Sequence, residues 1–178
     1  MATSETKVVT DDVRLCYPHF FEVYSNIEGA EPKFSTMFLI PKEDTVTVNK
    51  VKAAIKTAAT DGQKKFGSKW KIKKNPLRDG DVEKDTEEYK GMYFLNASSK
   101  IKPPVFGMDN QKIDDSEQIY GGVYGRISVN FYPFNTAGNM GVGVALNGFK
   151  KTKDGDPLSS RGNVLADFLD DDEAALLA

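Results

Sequence analysis

An internal disulfide and a Cys/His zinc site are both out of reach of this chain, because Cys16 is its only cysteine and His19 its only histidine. A serine- or cysteine-based triad would have only His19 as its base. The two residues are close neighbours in Leu15-Cys16-Tyr17-Pro18-His19-Phe20. Papain-type pairs come from distant segments, so this pair reads as a small buried thiol and a strand-end imidazole. No compact acidic motif for magnesium stands out in the body of the chain, and neither metal nor cofactor is expected. No apolar run approaches the ~20 residues that span a bilayer. The first residues, Met1-Ala2-Thr3-Ser4-Glu5, lack a basic region followed by an apolar stretch. No secretory signal is expected, and a cytoplasm is the expected compartment.

Charge of either sign is also scarce in sum: the net charge is −2 over 178 residues. That average hides an asymmetry. Asp167, Asp170, Asp171, Asp172 and Glu173 lie in a final stretch without bases, and setting these five aside leaves residues 1–165 at +3. A mildly basic body with an acidic tail is a pattern of nucleic-acid work. Residues 1–165 are expected to form one domain and 166–178 a mobile tail.

The body alternates. Residues 8–21 read as a first strand region that Pro18 breaks, and residues 33–40 as a second that Pro41 stops. Asp44 and Thr45 can cap a helix running to about Phe66, with Val48, Val51, Ile55, Ala58 and Ala59 at helical spacing and Lys50, Lys52 and Lys56 opposite. Residues 67–85 read as a loop. Residues 91–101 form a third strand region with Tyr93, Leu95, Ala97 and Ile101 on one face. Residues 123–134 are the clearest strand: Val123, Ile127, Val129 and Phe131 alternate with Tyr124, Arg126, Ser128, Asn130 and Tyr132. A hairpin loop over 135–139 leads to a glycine-rich return strand over 140–149. Five strand regions and one long helix fit a mainly β protein: a five-stranded Greek-key barrel of the OB type, with the helix inserted after the second strand. An α+β sandwich is the alternative.

A single-strand binder needs cations along the phosphates and aromatic faces against bases. Two places offer both. The first is the basic stretch 64–78, with Lys69, Lys71, Lys73, Lys74 and Arg78 around the only tryptophan, Trp70. Trp70 either stacks on bases or anchors the loop to the core. The second is the outward face of the 123–134 strand, with Tyr124, Arg126 and Tyr132, joined by Tyr93, Lys100 and Lys102 of the third strand region. That face is either open or covered by the helix. The tail, with Phe168 and Leu169 among its acids Asp167, Asp170, Asp171, Asp172 and Glu173, reads as a frayed surface helix or as a polyanion that competes for the basic groove and docks a partner.

Three segments carry a family likeness: NPLRDGD (75–81), GMYFLNASSKIKPPVFG (91–107), and YGGVYGRISVNFYPF followed by GVGVALNGFKK (120–134, 141–151). In these the chain resembles a family of phage single-stranded DNA-binding proteins, typified by that of an Enterobacter phage. It is more distantly similar to the podophage single-stranded DNA-binding proteins, whose acidic segment closes on an aromatic; this chain ends Ala174-Ala175-Leu176-Leu177-Ala178 instead. The resemblance implies an OB-fold and non-specific binding to single strands in phage replication, recombination or repair, in the host cytoplasm. It also implies that the tail docks replication proteins. The expectation is a non-enzymatic binder and a possible homo-oligomer. The alternatives are a phage structural or assembly protein and, less in keeping with the poverty in His and Cys, a metal-dependent nuclease.

Overall fold

The computed structural model describes residues 6–25, 29 and 31–158. Its elements are β1 (Lys7–Val9), β2 (Val13–Tyr24), β3 (Lys33–Pro41), α1 (Thr45–Phe66), β4 (Arg78–Asp79), α2 (Gly80–Glu83), β5 (Met92–Ser99), β6 (Val105–Phe106), β7 (Tyr124–Thr136) and β8 (Asn139–Lys153). The strands lie in the order β1-β7-β2-β3-β5-β8-β6, with β4 on β5. Because β7 also pairs with β8, the strands β7, β2, β3, β5 and β8 close into a ring. Within the ring only β5 and β8 run parallel, meeting at Ser98 and Ala145. This is the five-stranded Greek-key barrel expected from the sequence.

Alternation fills the barrel. Ile127, Val129 and Phe131 of β7 point inward at 1% exposure or less, facing Val142, Val144, Leu146 and Phe149 of β8. The hairpin between them is tighter than the sequence suggested. Ala137 and Gly138 form a two-residue turn, both in the left-handed region with φ of 51° and 86°, the geometry that matches strand twist.

Helix α1 begins where Asp44 accepts a hydrogen bond from the Thr47 amide, 3.1 Å. It ends at Gly67, whose φ is 99°. Its stripe Val48, Val51, Ala54, Ile55 and Ala58 is buried in the same core as the inward residues of β7 and β8. The helix therefore supports the core side of β7 and leaves the outward side uncovered: Arg126 is exposed and Tyr132 is 42% exposed.

Three boundaries differ from expectation. The first strand region splits at Asp11-Asp12 into β1 and β2, bridged by Thr10, whose amide donates to the Ile127 carbonyl and whose hydroxyl accepts from the Ile127 amide. Pro18 does not end β2. A register shift between Cys16 and His19, with Tyr17 at φ 48°, absorbs the proline and the strand continues to Tyr24. Ile101, expected on the core face, is 80% exposed. The Ser99 hydroxyl accepts from the Ile101 amide and donates to its carbonyl, turning the chain off the sheet.

Candidate nucleic-acid interface

Trp70 belongs to the core. It is 2% exposed, and its indole Nε1 donates a 2.9 Å hydrogen bond to the Phe134 carbonyl. Its ring lies on Gly62, where a Cβ would come within 2.5 Å of it, and stacks on Phe66 with centroids 6.3 Å apart. Base stacking by Trp70 is therefore corrected: the indole has no free face for a base, and its work is to anchor the loop. The anchor has a positional effect. Lys69, Lys71, Lys73 and Lys74 are all exposed, and the loop carrying them lies against the β7–β8 hairpin. The Lys73 amide donates to the Met140 carbonyl and its Nζ to the Gly138 carbonyl, 2.7 Å. Tyr132 lies near that end of β7. Its ring rests on Gly143 of β8, where a Cβ would sit 2.3 Å from Cζ. Four lysines and one accessible tyrosine thus share one end of the barrel wall.

Tyr124 and Arg126 do not join them. Eight residues of strand place Tyr124 roughly 27 Å from Tyr132. The Tyr124 ring is half-buried between the Arg14 guanidinium, 5.2 Å from its centroid, and Lys153 Nζ, 4.5 Å. Residues 154–158 strap across it. Arg14 donates from Nη2 to the Asp156 carbonyl, 2.7 Å, and the Gly155 amide donates to the Tyr120 hydroxyl. The Leu158 amide donates to the Gly121 carbonyl. Asp154 accepts from Lys151 Nζ and the Tyr120 hydroxyl, which hold its carboxyl below the usual range. Tyr124 is therefore no open stacking surface while the strap is seated. Arg126 is exposed, but its Nε donates to the Thr10 carbonyl, and it shares an open depression with Asp11, Asp12, Glu43 and Asp44. Those carboxylates oppose a phosphate there.

Arg78 and Tyr93 are engaged inside the fold. Arg78 Nε donates to Glu83, 2.9 Å, and its guanidinium lies 5.0 Å from the centroid of Phe94. Lys42 Nζ bridges Asp79 and Asp81 at 2.7 Å each; its hydrogen bonds hold both carboxyls below their ordinary values, and the two carboxylates in turn raise the Lys42 ammonium. These clamps fasten residues 78–90 over the outer side of β3 and β5, where Cys16, Leu39, Tyr89 and Phe94 form a second buried cluster reached by Leu158. Tyr93 packs against the main core, half-buried, with Lys42 and Lys52 Nζ 5.2 and 5.7 Å from its ring.

Lys100 and Lys102 are exposed beyond β5. Lys100 Nζ lies 3.5 Å from Glu31, and Lys102 Nζ lies 5.3 Å over the Phe21 ring, beside the β2–β3 connection. In OB barrels the outer side of the second and third strands, with its flanking loops, takes oligonucleotides. In this ring those strands are β3 and β5. Residues 78–90 cover the part at Leu39 and Phe94, and what remains open runs past Asn96, Ser98 and Ser35 toward β2. Three rings that sequence reasoning misses stand there: Tyr17 is 62% and Tyr24 42% exposed, and His19 stacks on Tyr24 with centroids 4.2 Å apart. Burial holds the His19 imidazole below its ordinary pKa. The available signal is the run Tyr17-Pro18-His19, which in sequence looks like a strand end. The acidic residues 167–173 lie outside the described residues.

Comparison with known proteins agrees with the barrel fold. A family model described as the single-stranded DNA-binding protein of Enterobacter phage Enc34 matches residues 6–177. Protein p50 of Acyrthosiphon pisum secondary endosymbiont phage 1 is 31% identical over 191 residues, covering 97% of this chain and 99% of that protein. The single-stranded DNA-binding protein from bacteriophage Enc34, solved in complex with single-stranded DNA, is similar in fold. Its TM-score is 0.79 at 24% identity, over 86% of this chain and 90% of that one. Gp2.5, the single-stranded DNA-binding protein of bacteriophage T7, shares the fold at a TM-score of 0.64 and 12% identity, over 93% and 95% of the two chains.

Proposed function

The chain belongs to the Enc34 family of phage single-stranded DNA-binding proteins, and we propose that it coats single strands without sequence preference and without chemistry during phage replication, recombination or repair in the host cytoplasm. The observation that carries this reading is the family match, which runs through residues 6–177 onto a barrel with exposed lysines at the hairpin end and beside the β2–β3 connection. Lys69, Lys71, Lys73 and Lys74 at the hairpin end, and Lys100 and Lys102 beside the β2–β3 connection, meet phosphates. Tyr132 offers its ring to a base. Tyr124 takes part only when the strap over residues 154–158 lifts, and Arg78, Arg126 and Tyr93 serve the fold around the groove. The acidic residues 167–173 compete with DNA for these lysines and dock replication proteins through Phe168 and Leu169.

The test is fluorescence anisotropy of a labelled unstructured oligonucleotide titrated across salt. Binding is expected at low salt, with log K falling linearly with log salt at about 0.7 per phosphate neutralised. No binding at low salt, or binding indifferent to salt, would overturn the reading.

A further inference from the structure

Strand β2 takes one extra residue where it passes β3: Cys16 faces Met37 and His19 faces Ser35, so three steps on one strand match two on the other. Bulges re-aim side chains. The residue at this one is Tyr17, with φ 48°, and among the described residues it is the only non-glycine within a strand to hold a positive φ. L side chains enter this region at a cost, and bulky ones seldom do. Pro18 follows, fixing its own φ and denying the ladder a donor. Burial does not offset the strain, because Tyr17 is 62% exposed. The bulge lets the strand pass Pro18, but nothing in the packing requires an aromatic ring in the strained position, and strain of this kind gathers at functional sites.

The surroundings suit a stacked base. Cys16 belongs to the cluster on the outer side of the barrel and Phe20 to the core, so His19 points outward by alternation. His19 and Tyr24 stack with planes 21° apart, presenting a two-ring surface. All three rings border the part of the β3–β5 face that residues 78–90 leave open. Lys100 and Lys102 stand exposed at the adjoining β2–β3 connection, close to Glu31 and Phe21.

We propose that Tyr17 and the stacked His19–Tyr24 pair form the base-stacking platform of this protein, Tyr17 being turned outward by the β2 bulge. The proposal rests on the reading that the chain binds single-stranded DNA. Stacking is sequence-tolerant, since every base has a π face, and the platform adds to the lysine contacts rather than replacing them.

Four full-chain variants test it: Tyr17→Phe, Tyr17→Ala, Tyr17→Gly and Tyr24→Ala. Each is melted thermally and titrated with oligo-dT and with an abasic strand of equal length. Tyr17→Phe should bind like wild type. Tyr17→Gly relieves the strained φ, so its melting temperature should hold or rise while affinity for oligo-dT falls roughly 5- to 150-fold. Tyr17→Ala and Tyr24→Ala should lose affinity in the same range, and the differences should vanish on the abasic strand. Tyr17→Gly binding oligo-dT within two-fold of wild type would overturn the inference and leave the proposed function standing. So would equal losses on both strands, or a Tyr17→Gly protein that melts lower. Wild-type protein that binds neither strand would overturn both.

Discussion

The Trp70 indole donates its one hydrogen to the Phe134 carbonyl at 2.9 Å, tying the basic loop to the end of β7. Trp70→Phe keeps most of the packing on Gly62 and Phe66 but leaves that carbonyl without its partner. The expected cost is ~1–3 kcal/mol, measured by urea unfolding. Wild-type tryptophan emission should resist acrylamide and change little on adding DNA, because the ring is in the core.

Gly122 and Gly155 press together where the strap crosses the barrel. A Cβ on Gly155 would lie 2.1 Å from the Gly122 carbonyl oxygen and 2.6 Å from the Tyr124 ring. Gly155→Ala should therefore lift residues 154–158. Amide exchange at Leu158 should quicken at least ten-fold, roughly the loss of 1.4 kcal/mol of local protection. Unchanged exchange would mean that the strap is held by something other than this close approach.

Lys71 and Lys74 stand exposed on the anchored loop. Replacing both with alanine should weaken DNA binding and reduce the slope of log K against log salt by about 1.4, or about 0.7 for each phosphate no longer neutralised. Thermal stability should stay within about a degree, since exposed lysines contribute little to folding.

Removing residues 166–178 takes away the five acidic side chains of the tail and leaves the described barrel intact. Affinity for oligonucleotide should rise, most at low salt, and the gain should fade as salt screens the competition. Equal or weaker binding would count against a competing tail.

Cys16 is 4% exposed, and burial, with Glu88 adding to it, pushes its thiol up to about 11 from an ordinary 9.0. The thiol is thus protonated at neutral pH, and thiol reagents should label it only on unfolding. The sign for stability follows from linkage. A folded pKa above the unfolded one favours the fold below pH ~9 and loses that contribution as pH climbs to ~11. Tyr89, in contact with the same cluster, is shifted upward too, again mainly by burial. Chemical denaturation between pH 8 and 11 should show an alkaline loss on the order of 2 kcal/mol.

The barrel is legible in the sequence because its signals are local. The alternation of β7 and the spacing and cap of α1 each lie within a dozen or two residues. The ring closure follows from that pattern only through pairings far apart in sequence. The candidate site is harder to read. Trp70 in a lysine-rich loop looks like an exposed stacking residue, and only Gly62 and Phe134, distant from one another along the chain, reveal it as an anchor. Arg126 looks like a phosphate ligand until the fold sets Asp11, Asp12, Glu43 and Asp44 around it. Tyr17 is hidden because a proline in a strand reads as an end, whereas here a bulge accommodates it.

The ring that closes through β7 and β8 also sets an order of events during synthesis. The β2–β3 hairpin and α1 draw on nearby sequence and can form early, but β1 waits for β7, with Val8 meeting Val129, and the edge of β5 away from β3 waits for β8 at Ala145. Chains emerge from the amino end, so strand edges that are inert in the finished barrel stay unpaired until β8, which ends at Lys153, has left the ribosome. Contacts this remote slow folding, and unpaired edges are templates for association. Shortened chains that stop before β7 should therefore accumulate as aggregates, which makes the last third of the barrel the guardian of the first.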